Sequence, residues 1–329
     1  MDTDTGCASR GDRVFSTVHR LEFDVPWPPK HVAAYVIDGP EPILIDAGTP
    51  GDDGEPALER GLERAGYTIS DIEHVLVTHP HSDHLGQADT LRGAGATIYA
   101  PAKALDRLRT DPETIREGVH ETGRGAGYDG DRLAEIVDGE LESFRRNRRL
   151  LDPDATVPID PGATIAVGDR QFRALETPGH QIHHLSFETD LEGTTVLFSG
   201  DALVEPFRPG AFQVGVNRGA YGGVDAYYDA MDRLETTAAT HVCPGHGPTF
   251  DDPRRAVTLT RNRLDDLLVE TRAAVDAVEP ATPLAVAEER IGSVRYTAPV
   301  MDTMGALGTL ERRGEVEYEL EGGVRYYRR

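Results

Sequence analysis

The stretch Val75-Leu76-Val77-Thr78-His79-Pro80-His81-Ser82-Asp83-His84-Leu85-Gly86 governs the reading of everything around it. Its opening apolar run, Val75 to Val77, is too short for a helix and reads as a buried strand. Within the next residues come His79, His81, Asp83 and His84, all of them metal-ligating types. Imidazole and carboxylate together suit zinc, iron or manganese, and a rigid sheet fixes ligands carried just beyond a strand end. One isolated histidine would carry no weight. Three histidines and an aspartate compressed into HxHxDH do, because burying so many ring nitrogens without an ion would leave polar groups hard to satisfy.

The set needs completing, and three later stretches each repeat the scheme of strand, turn and ligand type. They are Thr177-Pro178-Gly179-His180, Phe198-Ser199-Gly200-Asp201 after Val196-Leu197, and Cys243-Pro244-Gly245-His246-Gly247. In this order the sequence resembles the metallo-β-lactamase superfamily, from about Phe15 to about Asp252. The resemblance implies one metal held by His79, His81 and His180, a second held by Asp83, His84 and His246, and Asp201 bridging the two. It also implies two divalent ions, zinc before iron or manganese. Asp201 stands where the zinc β-lactamases tend to carry Cys, which places the chain nearer the glyoxalase II, lactonase and thioesterase members. Asp46, in Ile45-Asp46-Ala47-Gly48, matches the strand-end D-x-G of the superfamily and implies a role orienting a ligand histidine. His184 takes the place of a further family histidine, with a structural or orienting role. His183 is an addition to that pattern, expected to point outward.

Composition bounds the rest. The chain has 329 residues, enough for one large domain with a smaller partner. No apolar run approaches the roughly 20 residues of a membrane span. Residues 1–12, acidic and without an apolar core, read as a disordered leader rather than a signal peptide, which suggests a cytoplasmic protein. Cys7 and Cys243 give no disulfide framework, and Cys243 reads as a packed thiol. The net charge of −23 comes from 57 acidic against 34 basic residues, of which only Lys30 and Lys103 are lysine. An acidic surface nearly free of lysine resembles the proteins of extreme halophiles. Acidity then speaks of habitat and is a weak argument against nucleic acid.

Alternation suggests strands over Val14–Phe23, His31–Ile37, Pro42–Asp46, Thr97–Ala100, Thr164–Val167 and Phe172–Leu175, with helices over Glu55–Ala65 and Asp225–Leu234. Periodicity alone gives mixed α and β. The resemblance implies an α+β fold, the αββα sandwich, over residues 13–252. Residues from about 102 to 151 lack strand signals, and Leu105, Leu108, Ile115, Val119, Leu133, Ile136, Val137, Leu141 and Phe144 recur at helical spacing. This is a helical hairpin inserted over the site, broken at Gly123 to Gly130, and a natural lid. Arg145, Arg146, Arg148 and Arg149 at its end read as a solvated face, with a substrate anion as the alternative. The loop from Glu205 to Gly223 passes the site with Phe207, Phe212 and Tyr221 as candidate walls. Residues 253–329 form three helices and a two-stranded ribbon turning at Gly322-Gly323, similar to the winged-helix-like tail of some superfamily members. Its candidate recognition helix carries bases only at Arg312 and Arg313, so a packing or homodimer-forming appendage fits better than nucleic-acid binding.

The metal pair sets the chemistry. Two cations about 3.5–4 Å apart share a water, lower its pKa and present hydroxide to a carbonyl polarised by the same ions. Asp83 and Asp201 are the candidate catalytic carboxylates, Asp83 also orienting the hydroxide or relaying its proton. No GxSxG elbow offers a serine alternative. The leading reading is a dinuclear metallo-hydrolase acting on a thioester, lactone or related small ester. The alternatives are a metal-dependent nuclease, a persulfide dioxygenase with a single iron, and an inactive binding module.

Overall fold

A computed structural model of the chain describes residues 13–213 and 215–329; the expected leader and Cys7 lie outside them. The first half builds one sheet. β1 (Arg13–Phe15) and β2 (Val18–Asp24) are two strands separated by a turn at Ser16-Thr17, where alternation suggests a single strand. Then come β3 (His31–Ile37), β4 (Ile43–Ile45), α1 (Gly54–Ala65), β5 (His74–Leu76), α2 (Ser82–Leu85), α3 (Ala88–Gly93) and β6 (Thr97–Pro101). Three insert helices follow, α4 (Ala102–Leu108), α5 (Pro112–Gly125) and α6 (Gly130–Leu150), and then β7 (Val157–Ile159). The seven strands lie in chain order, antiparallel up to β4 and parallel from β4 to β7. Sequence reading misses β7 because Pro158 sits in its middle, a residue tolerated only on a sheet edge, which is where β7 lies.

The second sheet comprises β8 (Thr164–Val167), β9 (Arg170–Glu176), β10 (Leu185–Leu191) and β11 (Thr194–Gly200), followed by α7 (Gly223–Glu235) and β12 (His241–Pro244). Its order is β12-β11-β10-β9-β8, antiparallel except for the parallel pair β11 and β12. Period-2 geometry then divides each strand between two cores. Tyr35, Ile45, Leu76, Phe187 and Phe198 fill the layer between the sheets. Their neighbours Val36, Leu44, Val75 and Leu197 face outward and are buried under helices. Apolar on both faces, these strands appear in sequence as continuous apolar runs. The result is the αββα sandwich.

All candidate site residues lie at one end of it. Asp46 follows β4, His79 to His84 follow β5, Asp201 follows β11 and His246 follows β12. His180 and His184 sit in the turn from β9 to β10, and β9 runs parallel to β11. Close approach there depends on glycine. A Cβ on Gly245 would lie 2.5 Å from both Asp201 Oδ1 and His84 Cε1, and one on Gly200, whose φ is +49°, would lie 2.6 Å from His184 Nε2.

The insert is three helices rather than a simple hairpin, and its break falls at 126–129, with Gly123 and Gly125 still inside α5. Gly123 lets α5 approach α6, since a Cβ there would meet Leu133 at 2.7 Å. Leu105, Leu108, Phe144 and Leu151 join the same apolar cluster as the first sheet. The segment is therefore part of the packed body, not a detachable flap.

After β12 come α8 (Pro253–Val278), α9 (Pro283–Ile291), α10 (Ala298–Arg312), β13 (Glu317–Glu321) and β14 (Val324–Arg328). Asp252 and Thr282 cap α8 and α9 through their side chains, each followed by proline at the first helical position. α10 is buried from Val300 to Leu310 and packs on α7 and α8. The helix that a winged-helix reading would lay in a groove therefore has its surface occupied. Among the described residues no helix is long and apolar enough to cross a membrane.

Candidate metal centre

His79, His81, Asp83, His84, His180, Asp201 and His246 converge at the open end of the sandwich. His79 and His84 are fully buried, and His180, Asp201, His246 and Asp83 nearly so. Ligand atoms of His79, His81 and His180 fall within 4.8 Å of one another, as do those of Asp83, His84 and His246, and those of His79, His84 and Asp201. His81 Nδ1 lies 3.0 Å from His79 Nε2 and 2.9 Å from His180 Nε2. Nitrogens bound to one tetrahedral zinc would stand about 3.3 Å apart, so this first group needs little movement to close on an ion. Asp201 stands between the groups, its Oδ2 at 3.3 Å from His180 Nε2 and 3.4 Å from His246 Nε2, and its Oδ1 at 3.4 Å from His84 Nε2. Asp83 Oδ2 is 3.5 Å from His246 Nε2. His84 Nε2 and Asp201 Oδ1 are buried without a hydrogen-bond partner, which is what donor atoms prepared for a cation look like.

The other nitrogen of four of these rings is held by the protein, and that decides which nitrogen faces the centre. His84 Nδ1–H donates to Asp46 Oδ2 at 2.8 Å. The same carboxylate accepts from the Thr78 amide at 2.8 Å and the Thr78 hydroxyl at 2.9 Å, and that hydroxyl is 3.0 Å from His79 Nδ1. With its proton on Asp46, Thr78 accepts from His79. His180 Nδ1–H donates to Gly210 O at 2.9 Å, and His246 Nδ1–H to His31 O at 2.6 Å. Asp46 does this from a left-handed backbone, φ +60°, which an aspartate tolerates better than most side chains.

His184 stands apart. Its Nε2 accepts from the Asp201 amide at 3.1 Å, and its Nδ1–H is directed at Thr177 Oγ1, 2.8 Å away. Both nitrogens are engaged, so His184 fixes the backbone of Asp201 and offers nothing to an ion. His183 departs from the outward position expected of it: it lies in a turn, half-buried, with its ring pulled down to about 4 by burial and by Arg107 and Lys103. Cys243 is buried, which pushes its thiol up, as suits a packed residue. Arg145, Arg148 and Arg149 are exposed, a solvated face. Of the three candidate aromatic walls, Phe212 packs on His180, ring centres 5.3 Å apart, and lines the adjoining cavity, while Tyr221 lines another.

Thr78 escaped sequence reading, though its place directly before His79 was a usable signal. Asp302 left no such signal. It is a buried carboxylate on α10, taking Arg208 Nη2 at 2.7 Å and the Ala211 amide at 2.8 Å. These contacts clamp the loop whose Gly210 carbonyl holds His180, so residues from the far end of the chain brace the centre.

The superfamily model for metallo-beta-lactamases matches residues 27–248. The chain is 25% identical to the probable metallo-hydrolase YqjP of Bacillus subtilis, over 90% of this chain and 93% of that protein. It is 26% identical to a hydroxyacylglutathione hydrolase of Albidiferax ferrireducens, over 75% of each. A metallo-beta-lactamase family protein from Thermus thermophilus superposes with a TM-score of 0.81 at 24% identity, covering 96% of this chain and all of that one. A beta-lactamase domain protein from Burkholderia ambifaria gives 0.75 at 20% identity, covering 99% and 97%. These two likenesses concern the fold, insert and C-terminal helices included. With the sandwich, the histidine-rich loop after β5 and a family match over most of its length, the chain belongs to the metallo-beta-lactamase superfamily and is a metallo-hydrolase of that kind.

Proposed function

We propose that the chain hydrolyses a thioester, or a lactone or small ester of similar reactivity, with two divalent metal ions. His79, His81 and His180 would hold one ion, Asp83, His84 and His246 the other, and Asp201 would bridge them. The observation that carries this reading is the position of Asp201, with a carboxylate oxygen near ring nitrogens of both groups. The second group also favours two ions over a single iron. Bound there, two cations would act as Lewis acids on a substrate carbonyl and bring the pKa of a shared water toward neutrality.

The chain's own residues do the positioning. Asp201 supplies the negative charge that offsets repulsion between like ions. Asp83, beside His246, would hold the second ion and orient the attacking water or relay its proton. Phe212 packs on His180 and, with the insert, walls the cavity beside the centre. Thioesters come first because relatives at about a quarter identity are hydroxyacylglutathione hydrolases. The test is elemental analysis of the purified protein together with turnover of a panel of thioesters, lactones and RNA. About two metals per chain with thioester turnover is the expected result. One iron with oxygen uptake, or cleavage of RNA alone, would overturn it.

A further inference from the structure

The centre opens sideways into a trench that runs along one face of α6. Next to His81 and Pro80 is a cavity of about 180 Å³ whose α6 wall includes Asn147, Ser143 and Glu140. A second cavity, of about 360 Å³, shares Ser143 and Glu140 and continues to Gly139, Ile136 and Arg132. These positions recur every three or four residues, so a single helix face forms the floor throughout. From Asn147 to Arg132 that face spans about 22 Å at 1.5 Å per residue. The far rim is Arg295 and Tyr296, in the turn between α9 and α10.

The trench is a built feature at both ends. At the inner end Asn147 Nδ2 donates to Pro80 O at 2.8 Å, within the ligand loop, and Asn147 Oδ1 is buried without a partner. At the outer end Arg132 is tied to Val294 O at 2.7 Å and faces Glu288, and Glu135 stands on the same rim. That leaves Arg295, which has no ion-pair partner among the described residues, and Tyr296, 77% exposed. An unpaired guanidinium beside an exposed ring is a grip for a phosphate and its attached group.

Resting on the thioester reading, we infer that the acyl group is delivered on a long carrier arm with a phosphorylated end, lying along α6 with its phosphate at Arg295 and Tyr296. Length separates this from a tripeptide thiol, which reaches at most about 10 Å from residue spacing, about half the trench. An arm of pantetheine type extends on the order of 15–20 Å by the same bond dimensions.

The experiment compares thioesters of one acyl group on coenzyme A, on pantetheine and on N-acetylcysteamine, using the metal-loaded protein. The ratio kcat/KM should fall at each truncation. Arg295→Ala and Tyr296→Ala, both at the surface, should each lower it about tenfold for the coenzyme A ester, the weight of one charge-assisted or stacking contact, and leave the N-acetylcysteamine ester unchanged. Equal rates on all three esters, variants that slow all three alike, or a preference for a tripeptide-thiol ester would overturn the inference. If no thioester is hydrolysed the thioester reading fails on its own, and the trench is then judged by calorimetric binding of desulfo-coenzyme A, which has no thiol to ligate metal. Binding weakened by Arg295→Glu supports it; no binding to the native chain overturns it.

Discussion

His79, His81 and His180 make one side of the centre and Asp83, His84 and His246 the other, and the two sides differ in what surrounds their ring nitrogens. On the first side burial dominates. It pushes His79 well below the ordinary histidine range, His81 to about 3, and His180 down as well, so these rings are neutral donors before any ion arrives. Their own supports are uncharged, the Thr78 hydroxyl and the Gly210 carbonyl. On the second side burial acts in the same direction and loses. Asp201, Asp46 and Asp83 hold His84 well above its usual range, and Asp201 and Asp83 hold His246 up at about 10. Burial would raise the carboxylates, but the neighbouring histidines keep Asp83 at about 2 and Asp201 well below its ordinary value. The first side is a preformed nitrogen cage, whereas the second is an array of charges that, on the proposed reading, an ion would enter and rebalance. Loss of a carboxylate should therefore harm the second side more.

Asp201→Asn gives the sharpest break of that comparison. Asparagine keeps the size and one oxygen and loses the charge, so the second metal should be lost before the first and turnover should fall by several orders of magnitude. Metal content and turnover measured together on folded protein decide it, and native levels of both would remove Asp201 from the bridge.

Asp46→Asn comes next. One amide oxygen cannot serve His84 Nδ1–H and both Thr78 donors, and loss of such a partner lowers metal affinity about 10–100-fold. Competition with a chromophoric chelator should place that loss mainly on the second ion. An equal loss at both ions would show that the Thr78 link to His79 matters as much as the direct bond to His84.

Asp302→Asn probes the first side from a distance. The Gly210 loop should loosen, lowering activity by about tenfold, and the buried Arg208 left without its partner should cost about 3 kcal/mol of stability. Burial alone would raise the Asp302 pKa, but Arg208 outweighs it and holds it below the ordinary carboxylate value. A depressed folded-state pKa means stability fully present at neutral pH and lost as pH falls through that value. Melting curves of native and variant protein should thus differ at pH 7 and converge in acid. A constant gap would mean that the charge on Asp302 contributes nothing.

The mildest effect concerns the surface that carries both sides. With a net charge of −23, repulsion among carboxylates should weaken the fold in dilute buffer, where the Debye length is about 30 Å at 0.01 M against about 3 Å at 1 M. Melting temperature should rise by several degrees with KCl. A flat profile would refute the salt-adapted reading of the composition.

Much of this centre was legible because its residues are adjacent in the chain or attached to recognisable strand ends. HxHxDH, GH, GD and GH each follow a short apolar run, and a strand holds what comes after it in place. Thr78 was readable in hindsight by adjacency. β7 was not, because Pro158 masks an edge strand, and the outward position of His183 failed because a turn, not a strand, carries it beneath the insert.

The sequence alone determined the candidate ligand types and their order, since strand ends and turn glycines are local properties, whereas the sandwich followed only from the family resemblance those motifs carry. It also carried the charge pattern of the surface. The tertiary structure decided what depends on distant pairs: which ring nitrogen faces the centre, that His184 serves Asp201 rather than an ion, and that Asp302, 122 positions after His180 in the chain, braces that histidine through Gly210. Hydrogen bonds and burial act over a few ångströms of space whatever the separation along the chain, so a single sequence records the partners without recording that they meet.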